Sequence, residues 1–340
     1  MQKVYVTRSM YSEALDTLER GLDVKVWNGD RAIPRDVLLR EIADADAVLT
    51  LLTERVDDEF LALAPKLKIV ANMAVGFDNI DVPACTRRKV VVTNTPGVLT
   101  ETTADFAFAL LMAVARFVAP GVQYVRDGKW TTWSPTLFVG RDIHHATLGI
   151  VGLGRIGQEM AKRGTGFDMP IIYYDVFRRE DLERQHGWRY VDFDTLLREA
   201  DFVTIHVDLN EGTRKLFSTD AFKKMKKTAY LINAARGPIV DTDALYRALV
   251  DGEIAGAGLD VTDPEPLPAE HPILGLENAV VCPHIASASL QTRTKMAVLA
   301  AENIVAVQWR EAEDARQPGG VRVAVILSPH CHPEPFDTSG

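Results

Sequence analysis

The chain has 340 residues, 47% of them apolar and 25% charged, with 38 Lys and Arg against 47 Asp and Glu for a formal net charge of −9. That composition fits a globular protein long enough for two domains and excludes disordered, collagen-like and disulfide-scaffold classes. The negative balance, with no local basic patch against it, repels a phosphate backbone and argues against nucleic acid as a partner.

Cys85, Cys282 and Cys331 are an odd number without CxxC spacing, so neither a disulfide framework nor a zinc site is indicated and a reducing compartment fits. The first residues, 1–7, read as a strand rather than a leader, and no apolar stretch approaches the roughly 18 residues that span a bilayer. A cytoplasmic protein without a membrane partner is expected.

In chain order, β-branched runs alternate with amphipathic stretches at 3–7, 12–19, 23–27, 34–43, 47–52, 57–64, 67–71 and 90–93. This alternation predicts βαβ units and a parallel sheet. A long helical pattern over 101–117 opens a second series, with strands expected at 147–151, 171–174, 202–206, 229–232, 256–260 and 279–281. The fold class is therefore α/β, with two doubly wound parallel-sheet halves. Between them, 128–145 carries Trp130, Trp133, Pro135 and Phe138 and is too long for a simple connector. It reads as an arm covered by a partner subunit, or else as an internal packing loop. The stretch 291–309 is helical again and is expected to cross back to the first half.

Gly152-Leu153-Gly154-Arg155-Ile156-Gly157 fits GxGxxG between an apolar strand and a helical stretch. In that context the first glycine permits the tight turn, the second lets backbone approach a pyrophosphate, and the third packs helix on strand. The next strand ends at Asp175, 175 − 157 = 18 residues past the last glycine, where an acid would hold the adenosine ribose. Its carboxylate favours NAD over NADP, although Arg178 and Arg179, if turned inward, could hold the extra phosphate.

Three later strands lead to polar residues that a core would reject: Arg236, then Asp260 and Glu265, then His284. Reduction of a 2-oxo acid needs a cation for the carboxylate, a proton for the nascent alkoxide and an acid that keeps the proton donor charged. Arg236, His284 and Glu265 are of those types, with Glu265 expected to raise the histidine's pKa. Taken singly, each has an ordinary structural explanation. No histidine–acid pair stands at helical spacing, so no metal site is read. His144, His145, His271, His330 and His332 are assigned surface or structural roles, and His206 ends a strand opposite the cofactor motif.

Together these segments resemble the D-isomer-specific 2-hydroxyacid dehydrogenases, most closely the glyoxylate/hydroxypyruvate reductases among them. The matching stretches are VGFDNID (75–81), WTTWSPTLFVG (130–140), the glycine motif, NAARG (233–237), GAGLDVTDPEPLP (256–268) and PHIAS (283–287). The resemblance implies a flavodoxin-like substrate domain over 1–99 plus 288–340 and a Rossmann nucleotide-binding domain over 100–287, with a cleft between. It implies NAD(P)H-dependent reduction of glyoxylate or hydroxypyruvate, with NAD as cofactor and NADP as an alternative. Arg236 would bind and polarise the substrate, His284 donate the proton and Glu265 partner His284, while backbone amides at Val75 and Gly76 hold the substrate carboxylate. Cofactor contacts carried over are Thr103, Arg155, Ile156, His206, Val207, Thr213, Ala234, Ala235, Asp260 at the nicotinamide carboxamide, and Ala286. Family members form homodimers through the nucleotide domain, which suits the aromatic arm.

Other members of the family acting on D-lactate, phosphoglycerate, formate or phosphite remain open, as does a non-catalytic NAD-sensing corepressor of the same fold. Two departures stand out. Relatives often have His-x-Pro-Leu where this chain has His206-Val207-Asp208-Leu209, and 310–340 replaces the usual short basic return segment with a tail bearing an apolar run at 321–327. Residues 328–340 are expected to be poorly ordered.

Overall fold

Short runs of aliphatic and β-branched residues form strands, the inner ones buried on both faces, and in each sheet all the pairings are parallel. Parallel strands covered by helices on both sides lose the in–out alternation of a half-buried strand, which is why AVLT, IVAN and YLIN are buried at every position. The computed structural model describes residues 1–29 and 31–314. The tail expectations, disorder at 328–340 and the apolar run at 321–327, lie outside the described residues.

Two units are present, Met1–Leu99 with the segment from Ser289, and Thr100–Ala288. The first contains β1 (Lys3–Val6), α1 (Ser12–Glu19), β2 (Asp23–Val26), α2 (Arg35–Glu41), β3 (Ala47–Thr50), α3 (Asp58–Leu63), β4 (Ile69–Asn72), α4 (Val82–Arg87) and β5 (Val91–Thr93), in the sheet order β2-β1-β3-β4-β5. That is the flavodoxin-like order. Its core gathers Val48, Phe60, Val70, Ile80 and Cys85.

The second unit begins with α5 (Thr100–Ala115) and α6 (Val118–Arg126), then continues through β6 (Leu148–Val151), α7 (Arg155–Thr165), β7 (Ile171–Tyr174), α8 (Glu180–His186), β8 (Arg189–Tyr190) and α9 (Phe193–Glu199). It is completed by β9 (Phe202–Ile205), α10 (Thr219–Lys224), β10 (Tyr230–Asn233), α11 (Thr242–Val250), β11 (Gly256–Leu259) and β12 (Ala279–Val281). Its seven-stranded order, β12-β11-β10-β9-β6-β7-β8, reverses direction between β6 and β9. Helix α12 (Leu290–Asp314) then belongs to the first unit and packs along α1. Several helix starts are fixed by aspartates, with Asp57, Asp81, Asp192 and Asp241 each accepting an otherwise unmatched amide of the first turn.

The elements expected from the sequence are found with their ends shifted by at most two residues, except that α12 runs from 290 to 314 where 291–309 was expected. Others were not anticipated individually: the helices α4, α6, α8, α9, α10 and α11 and the edge strand β8. β8 is a two-residue edge strand, too short to carry a period. Phe117 breaks the expected 101–117 helix by turning left-handed (φ +50°), and α6, which has no buried residue, follows it.

Phe202 is fully buried and stacks on Tyr230 with ring centroids 5.4 Å apart. Phe202→Ala is expected to destabilise the protein by about 3–5 kcal/mol, read as a lowered urea midpoint. An unchanged midpoint would contradict the packing described.

Candidate active site

In an open parallel sheet the loops after the strand C-termini diverge where the order reverses, leaving a crevice for a ligand. Here that point lies between β6 and β9, and the glycine loop follows β6. Gly152 is left-handed (φ +93°), and a Cβ there would lie 2.6 Å from the His206 carbonyl oxygen. A Cβ on Gly157 would come within 2.1 Å of the Gly152 carbonyl, whereas one on Gly154 would meet nothing within 4 Å. The first glycine thus makes the turn, the third permits close packing, and the second keeps an open approach at the N-terminus of the 11-residue α7. This cradle fits a dinucleotide pyrophosphate. Asp175, just past β7, accepts from Leu153 N at 2.7 Å and from Phe177 N at 3.1 Å, so its carboxylate is fixed against the same loop.

The remaining cofactor candidates lie on several elements of the same unit. Arg155 and Ile156 open α7, and Thr103 is buried in the first turn of α5. His206 and Val207 follow β9 directly against Gly152. Burial pushes the His206 imidazole down to about 3, so it is neutral, and its Nε2 pairs with Thr204 Oγ1 at 2.8 Å. Thr213 is used locally: its hydroxyl donates to Asp208 O at 2.6 Å and accepts from Asn210 N at 2.9 Å, ordering the loop where the family's proline is missing. Ala234 and Ala235 follow β10, and Ala286 N donates to Asp260 Oδ2 at 2.7 Å.

Three more loops leave the same end of the sheet, after β10, β11 and β12, and carry Arg236, Glu265 and His284. His284 Nδ1 and Glu265 Oε1 are 2.6 Å apart. Burial pushes the Glu265 carboxyl up, but the His284 hydrogen bond and charge, joined by the Thr262 amide and the Arg236 charge, outweigh it and hold the group below the ordinary glutamate value. The three types expected from the sequence therefore act on one another.

The backbone explains how they are held. A Cβ on Gly237 would lie 1.8 Å from the Thr262 carbonyl oxygen, so glycine alone lets the Arg236 loop lie against the strand end leading to Glu265. His284 is left-handed (φ +56°), an uncommon state for a residue with a side chain. Asp260 maintains it. Its carbonyl accepts from His284 N at 2.8 Å, and its carboxylate, 1% exposed, accepts from Ile285 N at 2.8 Å and Ala286 N at 2.7 Å. Sequence reasoning had Asp260 only as a nicotinamide contact; its backbone role was missed.

In the first unit, Val75 and Gly76 follow β4. The Ala74, Val75 and Gly76 carbonyls accept from Thr95 N (2.8 Å), Asn94 Nδ2 (2.9 Å) and Asn72 Nδ2 (3.0 Å). In a trans peptide each following N–H points the opposite way, so the amides of Val75, Gly76 and Phe77 turn away from those interior partners. Successive amides of this kind suit a carboxylate. Asn72 and Asn233 were missed as organisers; the latter donates to Arg236 O at 2.9 Å and accepts from Ala235 N at 3.0 Å. The available signal was an asparagine closing an otherwise apolar buried strand.

Of the 128–145 segment, Phe138 packs on Phe117 and Tyr124 of its own unit, whereas Trp130 and Trp133 are 62% and 78% exposed. Val118, Val122 and Val125 of α6 are exposed as well.

Residues 108–286 match the family model described as D-isomer specific 2-hydroxyacid dehydrogenase, NAD binding domain. The chain is 50% identical to a glyoxylate reductase from Korarchaeum cryptofilum over 310 residues, 91% of this chain and 93% of that protein. Among solved structures it is similar to the TT0316 protein of Thermus thermophilus, with a TM-score of 0.86 and 44% identity over 91% of this chain and 97% of that one. It is also similar to an NADPH-dependent glyoxylate/hydroxypyruvate reductase from Sinorhizobium meliloti solved with NADP and malonate, with a TM-score of 0.78 and 32% identity over 90% and 93% of the two chains.

The open space at Gly154 yields a prediction. Gly154→Val should leave the melting transition in place, yet weaken NADH binding, followed by fluorescence titration, by at least about tenfold. Undiminished affinity would contradict the placement of the pyrophosphate.

Proposed function

The chain belongs to the D-isomer-specific 2-hydroxyacid dehydrogenase family, and from that premise we propose that it reduces glyoxylate and hydroxypyruvate to glycolate and D-glycerate. It is an NAD(P)-dependent oxidoreductase with an NAD-binding domain. The observation that carries the substrate-level reading is the 2.6 Å His284–Glu265 pair under the charge of Arg236, at the same sheet end as the glycine loop.

The reduced nicotinamide, when bound, supplies the hydride to the keto carbon. Arg236 grips the carboxylate and the keto oxygen with its planar fork, drawing electron density from the carbon under attack. His284 delivers a proton from Nε2 to that oxygen as it gains charge. Glu265, ionised, holds the Nδ1 proton and keeps the imidazolium stable until transfer. The Val75 and Gly76 amides are proposed as further partners of the carboxylate. Asp175 is proposed to hold the adenosine ribose and favour NAD over NADP.

We further propose that two copies associate through the nucleotide-binding unit, supported by the apolar surface of Val122, Val125, Trp130 and Trp133. A cytoplasmic location belongs to the same proposal, supported by Cys85 and Cys282 being free thiols. Among the described residues no single helix is long and apolar enough to cross a membrane.

Loss of NADH absorbance on adding glyoxylate or hydroxypyruvate, with pyruvate for comparison, tests the reading; no rate with any of them would contradict it. Arg236→Ala should lower kcat/KM by about 10²–10³-fold. The pH profile supplies a separate check. Because Glu265 ionises below the usual glutamate range, the reductive rate should hold through mildly acidic pH; a rate already falling in the ordinary glutamate range would contradict that. Glu265→Gln removes the carboxylate that holds the His284 ring at Nδ1 and should lower kcat/KM by about 10²-fold; an unchanged kcat/KM would contradict the pairing.

A further inference from the structure

Arg178 and Arg179 stand just past Asp175, where a dinucleotide's adenosine ribose is gripped, and a cation there would welcome the extra phosphate of NADP. Both are engaged elsewhere. Arg178 closes a two-pronged fork on Glu183, Nε to Oε1 at 2.9 Å and Nη2 to Oε2 at 2.9 Å. Its guanidinium lies 5.6 Å from the centre of the Tyr190 ring. Glu183, on α8, is 18% exposed and is itself tied to the sheet: the buried Tyr173 hydroxyl donates to its Oε1 at 2.9 Å and accepts from Arg179 N at 2.8 Å. Arg179 makes a more exposed fork with Asp181, at 3.2 and 3.0 Å.

A lone surface ion pair would be a weak restraint. This one is bidentate, lies over an aromatic face and has its acid anchored by a buried phenol, so the arginine plane is fixed in orientation as well as neutralised. A 2′-phosphate that drew Arg178 over to itself would compete with Glu183 for the same guanidinium. We propose that Glu183 is a specificity-determining positioning residue that withholds Arg178 from the 2′-position of the cofactor, adding a second restraint to the repulsion from Asp175. The inference rests on the nucleotide-binding reading of the same unit and deepens it.

Fluorescence titration of the full chain with NADH and NADPH tests it without requiring turnover. The parent should bind NADH more tightly. Glu183→Gln keeps the size and an acceptor for Tyr173 but removes the charge that holds the fork; the ratio of NADPH to NADH dissociation constants should fall by about fivefold. Arg178→Ala alone should leave the parent ratio where it is, and Glu183→Gln/Arg178→Ala should return to it, since the gain requires the released guanidinium. Should Glu183→Gln lose the parent's melting transition, Glu183→Asp serves instead, because its shorter carboxylate cannot close the fork and hold Tyr173 together. A ratio unmoved in the Glu183 variant, or a gain that persists without Arg178, would overturn the proposal. A parent that bound neither nucleotide would overturn the cofactor reading itself, which is a different result.

Discussion

Asp260 fixes three consecutive amides at the end of β12: its carbonyl takes that of His284, and its two carboxylate oxygens take those of Ile285 and Ala286. Left-handed backbone at a non-glycine residue costs about 1–3 kcal/mol. A hydrogen bond contributes about 0.5–1.5 kcal/mol, and one to a charged acceptor about 1.5–3 kcal/mol, so one bond to the carbonyl and two to the carboxylate together offset the strain. Burial in turn pushes the Asp260 carboxyl above its ordinary value, against the pull of the two amides. The imidazole of His284 meets Glu265 because its backbone has been turned by a residue from the neighbouring strand.

The same logic places Arg236. Asn233 ends β10 inside the protein and folds the next residues back by bonding Ala235 N and Arg236 O, and Gly237 then lies against Thr262 without a side chain between them. Parallel register delivers the three strand ends side by side. The loops add only short corrections to a geometry set by the sheet, as expected where groups must be held to a fraction of an ångström.

Much of this was legible in the sequence. Buried parallel strands announce themselves as unbroken apolar runs, and a glycine motif between strand and helix followed by an acid at the next strand end carries its own stereochemistry. The types of Arg236, Glu265 and His284 were legible too. What could not be read were the interactions that depend on pairs far apart in the chain: Asp260 with Ile285 and Ala286, Gly237 with Thr262, and Asn94 with the carbonyl of Val75. A sequence gives the residue type but not the partner, and a buried polar group is defined by its partner. The Arg178–Glu183 fork shows the limit at shorter range. Five residues separate the two, yet only the positions of Tyr173 and Tyr190 explain why the arginine is held as it is. Exposed Trp130 and Trp133 likewise looked alike with Phe138 in the sequence, though only Phe138 packs on its own unit.

The central claim is that His284 supplies the proton and does so from a site that binds nucleotide independently of it. Parallel measurement of NADH affinity and single-turnover reduction of hydroxypyruvate in His284→Gln tests that separation most directly. The account predicts affinity within about twofold of the parent and a rate lowered by about 10²–10⁴-fold. Reduction at the parent's rate would contradict it.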